Sequence, residues 1–154
     1  MPYLLVALVV VVFAIIIIRI QVRDKSLAPL RREISSSEVI YETPVDVKYR
    51  VSARSWSLKT LGGMQLIVNR EGIQVILRRA ARITGTEWYF KSPGTTAEAS
   101  TDPSHGPNPK TWIILRGSEG GKSVEIAIRT RSQQRRAWDA LVAAGIQPVN
   151  SLPD

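Results

Sequence analysis

Met1 to Ile18 reads MPYLLVALVVVVFAIIII, a run of 18 residues without one charged side chain. At 1.5 Å per residue a helix of that length spans about 27 Å, close to the ~30 Å hydrocarbon core of a bilayer. Apolar on every side, it has no polar face to turn toward water. The run predicts a transmembrane helix over residues 1–22, with Ile20 and Val22 adding a turn while Arg19 snorkels. A cleaved secretory leader would start with basic residues and end in a small-residue cleavage site, and neither is present, so the segment is expected to stay attached. Its flanks set its direction. Arg19, Arg23, Lys25, Arg31 and Arg32 follow the run and no Lys or Arg precedes it. The positive-inside rule then expects a single-pass protein of the cell membrane, N-terminus out and C-terminal body cytoplasmic. The run has no Gly-x-x-x-Gly, so nothing in it argues for tight helix pairing.

The rest of the chain carries the whole charge excess, 21 Lys and Arg against 13 Asp and Glu, formally +8. A basic body held at a membrane suits anionic lipid headgroups, while solubility alone is the other reading of the same charge. Nucleic acid is not expected as a partner. With no cysteine and one histidine, the chain lacks disulfides, thiolate metal sites, a cysteine nucleophile and any histidine metal cluster. No cofactor or metal is expected.

Residues 23–37 read as a basic juxtamembrane linker, closed by Pro29 and the Ser35 to Ser37 run. From residue 38 the signal is β. Val45, Val47, Tyr49, Val51 and Ala53 alternate with Asp46, Lys48, Arg50, Ser52 and Arg54, which predicts a half-buried strand with one core face and one basic face. Ser55 to Leu61 reads as a second strand that Gly62-Gly63 ends. Met64–Asn69 and Gly72–Arg79 predict a hairpin, with Gly72 supplying a positive φ and Gln74 facing out. A short aromatic strand, Glu87–Phe90, follows. Residues 91–110 lack periodicity and are expected to be a disordered loop. Trp112–Leu115 resumes the sheet, Gly117 to Gly121 turns the chain, and Val124, Ile126 and Ile128 alternate with Glu125, Ala127 and Arg129.

That last strand runs almost directly into an amphipathic helix. Ser132 stands where an N-cap belongs, and Gln134, Ala137, Trp138, Leu141, Val142 and Ala144 share one face opposite Arg135, Arg136 and Asp139. Gly145 ends the helix and Pro148 blocks its continuation. An indole buries roughly 150–250 Å², so Trp138 is expected to plug a small barrel or the space between two sheets. The expected body spans residues 38–147, mainly β with about seven antiparallel strands in a small barrel or sandwich and one closing helix. Residues 148–154 form a tail.

Motifs for chemistry are sparse. Gly117-Ser-Glu-Gly-Gly-Lys-Ser123 lacks the first glycine of a P-loop and opens into a strand, so it reads as a turn. Asp102, Ser104 and His105 share a loop with nothing to fix their geometry. No acidic pair is placed for general acid–base work, so a non-enzymatic protein is expected. Candidate binding residues are the cations Lys48, Arg50, Arg54, Arg78 and Arg79, together with Arg135 and Arg136. The last two oppose the helix dipole from its first turn. A solvated sheet face and an exposed helix face are the alternative readings.

The segment Ser132-Gln-Gln-Arg-Arg-Ala-Trp138-Asp-Ala-Leu141-Val-Ala-Ala-Gly145, following a run of antiparallel strands, resembles the C-terminal helix of the pleckstrin-homology-like (PH-like) superfold, with Trp138 and Leu141 at its core tryptophan and following leucine. The resemblance implies a PH-like β body over about residues 39–146 and no catalytic activity. It implies either phosphoinositide binding or protein docking. Lys48-Tyr49-Arg50 matches half of the family's basic motif, and the upstream lysine is missing. Two functions remain open. One is a membrane-anchored platform presenting a basic PH-like domain to anionic lipid or a membrane partner. The other is an accessory or structural subunit of a membrane complex with no lipid recognition.

Overall fold

The computed structural model describes residues 2–51, 56–77, 87–101, 111–119, 121–130 and 132–153. Helix α1 runs unbroken over Pro2–Ser36, about 52 Å at 1.5 Å per residue. The stretch expected as a linker is thus the second half of one helix. Pro29 lies inside it on the solvent side, where the carbonyl left without its amide donor can be hydrated. Val22, Ala28 and Arg32 are exposed, whereas Leu27 and Ile34 are buried, so this half is amphipathic.

Eight strands follow: β1 Val39–Val51, β2 Ser57–Asn69, β3 Gly72–Leu77, β4 Trp88–Lys91, β5 Thr96–Thr101, β6 Thr111–Glu119, β7 Lys122–Arg129 and, after helix α2 at Gln134–Ala143, β8 Gln147–Pro148. They form one sheet in the order β4-β3-β2-β1-β7-β6-β5-β8. Every pairing is antiparallel except β5 with β8. The sheet is therefore mixed, and no pairing closes β4 onto the far edge among the described residues, so it is not a closed barrel. Long β1 joins the two halves: Val39–Tyr49 pairs with β2, and Asp46–Val51 also pairs with β7.

Several strand expectations change in detail. Gly62-Gly63 does not end β2. Val45 pairs with Met64 and Val47 with Thr60, so Leu61 to Gly63 stand opposite Asp46 alone, a bulge of the kind that bends a strand. Gly72 does not have a positive φ. A Cβ there would lie 2.2 Å from the Phe90 carbonyl oxygen and 3.1 Å from Ile34 Cδ1, so glycine is needed for close packing of β4 and α1. Gly117 lies inside β6, where a Cβ would stand 2.3 Å from the Phe90 ring. The sharp turn belongs to Gly121, with φ 76°. The expected disordered loop contains β5, whose alternation of Ala97 and Ala99 with polar residues is a faint signal because alanine is a poor strand former.

The main core joins Val45, Val47, Met64, Leu66, Ile73, Ile113, Leu115, Ile126 and Ile128 to the inner face of α2, where Ala137, Trp138, Ala140 and Leu141 are buried. Val142, assigned to that face by periodicity, is 42% exposed. The N-cap is not Ser132. Gln133 occupies that position without a side-chain cap, while Thr130 Oγ1 accepts from the Gln133 amide at 3.1 Å and Gln134 Oε1 accepts from the Thr130 amide at 2.9 Å. This reciprocal pair serves as a capping box displaced into the preceding residues. At the other end Gly145, φ 85°, donates to the Val142 carbonyl at 2.9 Å, and Ile146 donates to that of Leu141 at 3.1 Å. These are the two bonds of a Schellman motif, with Leu141 and Ile146 both buried beside it. The expected tail is pinned: the Asn150 amide bonds both backbone groups of Ala99 at 2.7 Å, and Leu152 is buried.

Candidate functional site

The second half of α1 lies across the outer face of β3 and β4. Leu27 and Ile34 are buried with Tyr89, and Leu30 and Ile76 pack against them. This cover explains why Gln74, expected to face solvent, is buried: its amide donates to Asn69 Oδ1 at 2.8 Å, and its carbonyl oxygen accepts from Ser35 at 3.2 Å.

Polar contacts then fix the helix along its length. Arg23 donates to Glu119 at 2.6 Å and to the Glu87 carbonyl at 2.6 Å. Arg31 reaches Asp24 at 2.7 Å, Glu87 at 3.2 Å and the Tyr89 hydroxyl at 3.1 Å, with its guanidinium 5.5 Å from the Tyr89 ring centroid. Glu33 pairs with Lys91 at 2.8 Å. Burial alone would lower the Arg31 pKa, but the partners Asp24, Tyr89 and Glu87 outweigh it and hold the group above its ordinary value. Burial also raises the Tyr89 phenol, which the Glu87 carboxylate reinforces, to about 12. Arg23 and Arg31 therefore serve the docking of α1, whereas Arg19, Lys25 and Arg32 remain exposed.

Where α1 leaves the body, a cavity of about 280 Å³ opens between Arg23, Tyr49 and Val51 of β1, Trp88 of β4, and Glu119, Lys122 and Val124 around the β6–β7 turn. Tyr49 and Trp88 pack with ring centroids 5.4 Å apart. Lys122 is exposed at the turn.

On the outward face of β1, the cation Arg50 is neutralised. Arg50 is ion-paired with Glu125 and lies 4.6 Å from the Trp56 ring centroid. Glu125 also accepts from Arg116 at 2.9 Å, and Arg116 pairs in turn with Glu98. Burial would raise the Glu125 pKa, yet the two guanidiniums win and hold it below the usual carboxylate range. Arg116 lies above its ordinary value, because Glu125 and Glu98 outweigh its burial. On the same face Arg129 pairs with Asp46 at 2.7 Å, while Lys48 and Arg129 stand 5.5 and 5.0 Å from the Trp112 ring centroid. Lys48 and Arg50 thus share a face, as their alternation requires, but it is a braced lattice of ion pairs and tryptophans.

Arg54, Arg78 and Arg79 lie outside the described residues, as do Asp102, Ser104 and His105. Arg135 pairs with Asp139 at 3.7 Å, both exposed, and also lines a cavity of about 410 Å³ with Thr111, Gln134, Leu152 and Pro153. Arg136 is exposed on α2, apart from β1 cations. Trp138 and Leu141 occupy the core, as expected. No cluster of three or more His, Asp or Glu suited to a metal occurs among the described residues. The residues that sequence reasoning missed, Arg23, Leu27, Arg31 and Ile34, repeat at helical spacing, a stripe obscured by Pro29 and the serine run.

No family model matches the chain, and no curated protein matches it significantly. Among solved structures it is similar to the apo structure of the activated truncation of Vav1, with a TM-score of 0.45 and 12% identity over 84% of this chain. It is also similar to the solution structure of the C-terminal PH domain of human FYVE, RhoGEF and PH domain containing protein 3, with a TM-score of 0.40, 14% identity, and coverage of 76% of this chain and 99% of that one. A second Vav1 structure, bound by an allosteric inhibitor, gives a TM-score of 0.43 and 11% identity over 79% of this chain. The chain spans 31% and 33% of the two Vav1 chains.

Proposed function

We propose that this chain is a single-pass membrane protein whose PH-like β body is a non-enzymatic binding platform, held on the cytoplasmic side and rigidly joined to its anchor. The observation that carries this reading is the continuity of α1. Its first half is long and apolar enough to cross a bilayer, with none of that window buried in the protein, and its second half is docked on β3 and β4 by the Leu27–Ile34–Tyr89 cluster. Anchoring raises the local concentration of the body at the membrane, so weak contacts with lipid or a membrane partner suffice.

The neutralised β1–β7–β6 face favours a protein over a phosphoinositide as the ligand of that surface. Arg50, Arg116 and Arg129 already have carboxylate partners, and an anionic headgroup would have to displace them. An accessory-subunit role is thus a second reading, supported by that face. Membrane fractionation in alkaline carbonate tests the anchor. The full chain is expected to stay in the pellet and a chain lacking residues 1–18 to be released, while retention of the truncated chain would contradict it. Affinity purification from solubilised membranes with the full chain then separates the readings. A stoichiometric membrane protein partner supports the subunit, and salt-sensitive binding to anionic vesicles without one supports the lipid platform.

A further inference from the structure

We propose that the segment Gln147–Leu152 is an edge guard, which closes β5 to pairing with a second copy of this chain. The inference concerns the sheet alone and holds whether or not the apolar half of α1 crosses a membrane. Three observations carry it.

The first is the strand that needs covering. The sheet ends β6-β5-β8, so β5 would be its edge if the chain stopped after α2. An edge strand presents unpaired amides and carbonyls to any passing chain. β5 has six residues, Thr96–Thr101, with no Lys, Arg or Pro among them. Its one charged side chain, Glu98, is drawn toward Arg116 on β6. Its buried residues are Ala97 and Ala99, whose small side chains specify a partner's register weakly. The opposite edge differs. There β4 has four residues, ends on Lys91 and packs its Tyr89 against α1, and brevity, charge and a covering helix all discourage pairing.

The second is the way the segment covers β5. Gln147 and Pro148 lie parallel to Thr96 and Ala97. The Gln147 amide donates to the Thr95 carbonyl at 3.3 Å, and the Val149 amide donates to that of Ala97 at 2.8 Å. A side chain then replaces the backbone. Asn150 Oδ1 accepts from the Ala99 amide and Asn150 Nδ2 donates to the Ala99 carbonyl, both at 2.7 Å. These are the two bonds that a residue of an adjoining antiparallel strand would exchange. Thr95, Ala97 and Ala99 stand at alternate positions, so the cover follows one edge of the strand. Buried Leu152 holds its far end.

The third is what the cover presents in turn. Pro148 has no amide hydrogen, and Asn150 meets β5 with its side-chain amide instead of a second row of backbone groups. The paired part, β8, is two residues long. The sheet thus ends on a segment too short and too irregular to template another strand. Gln147 to Asn150 are exposed, so removing them opens the edge without emptying the core.

The chain has no cysteine and Thr101, at the end of β5, is exposed, so Thr101→Cys can carry a donor or an acceptor dye. Energy transfer between differently labelled copies mixed in detergent micelles reads self-association. Transfer is expected to rise several-fold when the chain is ended after Ile146. An excess of free peptide Gln147–Asp154 should return it to the full-chain level, and the same peptide with Asn150→Ala should not. Rescue by the peptide separates an open edge from a misfolded body. In the full chain, Asn150→Asp keeps the backbone bonds but sets a carboxylate against the Ala99 carbonyl, and a smaller rise is expected. Unchanged transfer on truncation, or a rise that the peptide fails to reverse, would overturn the guard. Rescue by the Asn150→Ala peptide, or transfer unchanged by Asn150→Asp, would overturn the part given to Asn150.

Discussion

Glu125 shows how a residue chosen by alternation acquires its role only from register. It faces outward on β7 as its period predicts, but pairing with β1 and β6 sets it between Arg50 and Arg116. Glu125→Gln would leave the half-covered Arg50 guanidinium without its charge partner and Arg116 with Glu98 alone. A loss of about 1–2 kcal/mol near neutral pH is expected from charged hydrogen bonds at a partly solvated site. Since folding lowers this carboxylate's pKa, its contribution is present above the ordinary value of 4.5 and disappears as the pH falls through the lowered one. Thermal melts of the two proteins should converge under acid; a gap that persists there would contradict the assignment. Tyr89 runs the other way. Its neutral phenol is favoured by folding, so that contribution is complete below the ordinary value of 10 and is lost as the pH rises toward about 12. A phenolate absorbance titration should show one late-ionising tyrosine that Tyr89→Phe removes. Gly117 is fixed by contact with Phe90. Gly117→Ala is expected to cost about 1–3 kcal/mol through overpacking, less when combined with Phe90→Leu, as chemical denaturation would report.

The elements differ in how openly the sequence declares them. β1 and β7 were legible because one face is core and the other polar, β3 because Ile73 and Val75 alternate after a turn although α1 covers its other face, and α2 because Trp138, Leu141 and Gly145 fall at helical spacing before a stop. β5 was not, since its inward residues are two alanines that bury little. The second half of α1 was the largest omission. Pro29 and three serines argue locally against helix, yet the contacts of Leu27, Arg31 and Ile34 with β3 and β4 outweigh them. The cap of α2 was misplaced for a related reason: Thr130 and Gln134 do by side-chain exchange what Ser132 suggested by residue type alone. Of the candidate site, Lys48 and Arg50 were correctly put on one face, but their acidic and aromatic partners lie on strands distant in sequence. If the α1 contacts are what hold the second half of the helix, Ile34→Ala should destabilise its docking by about 2–5 kcal/mol. Amide exchange across residues 23–36 should then accelerate while β6 and β7 keep their protection. Unchanged exchange in that segment would contradict the packing.

At the scale of the whole molecule, one helix carries two kinds of surface. Residues 3–18 expose Leu, Val, Ile and Phe to their surroundings, and a few residues on, Arg23 is bonded to the turn that ends β6. The position and orientation of the β body would then follow those of the apolar half of α1. The most direct measurement is the distance between spin labels at Gln21→Cys and Ser118→Cys in the full-length protein in bilayers. Both residues are exposed and lie close to the Arg23–Glu119 contact. A single short, narrow distance distribution is predicted for one continuous docked helix, and a broad distribution reaching long distances would mean that the anchor and the body are joined by a flexible tether.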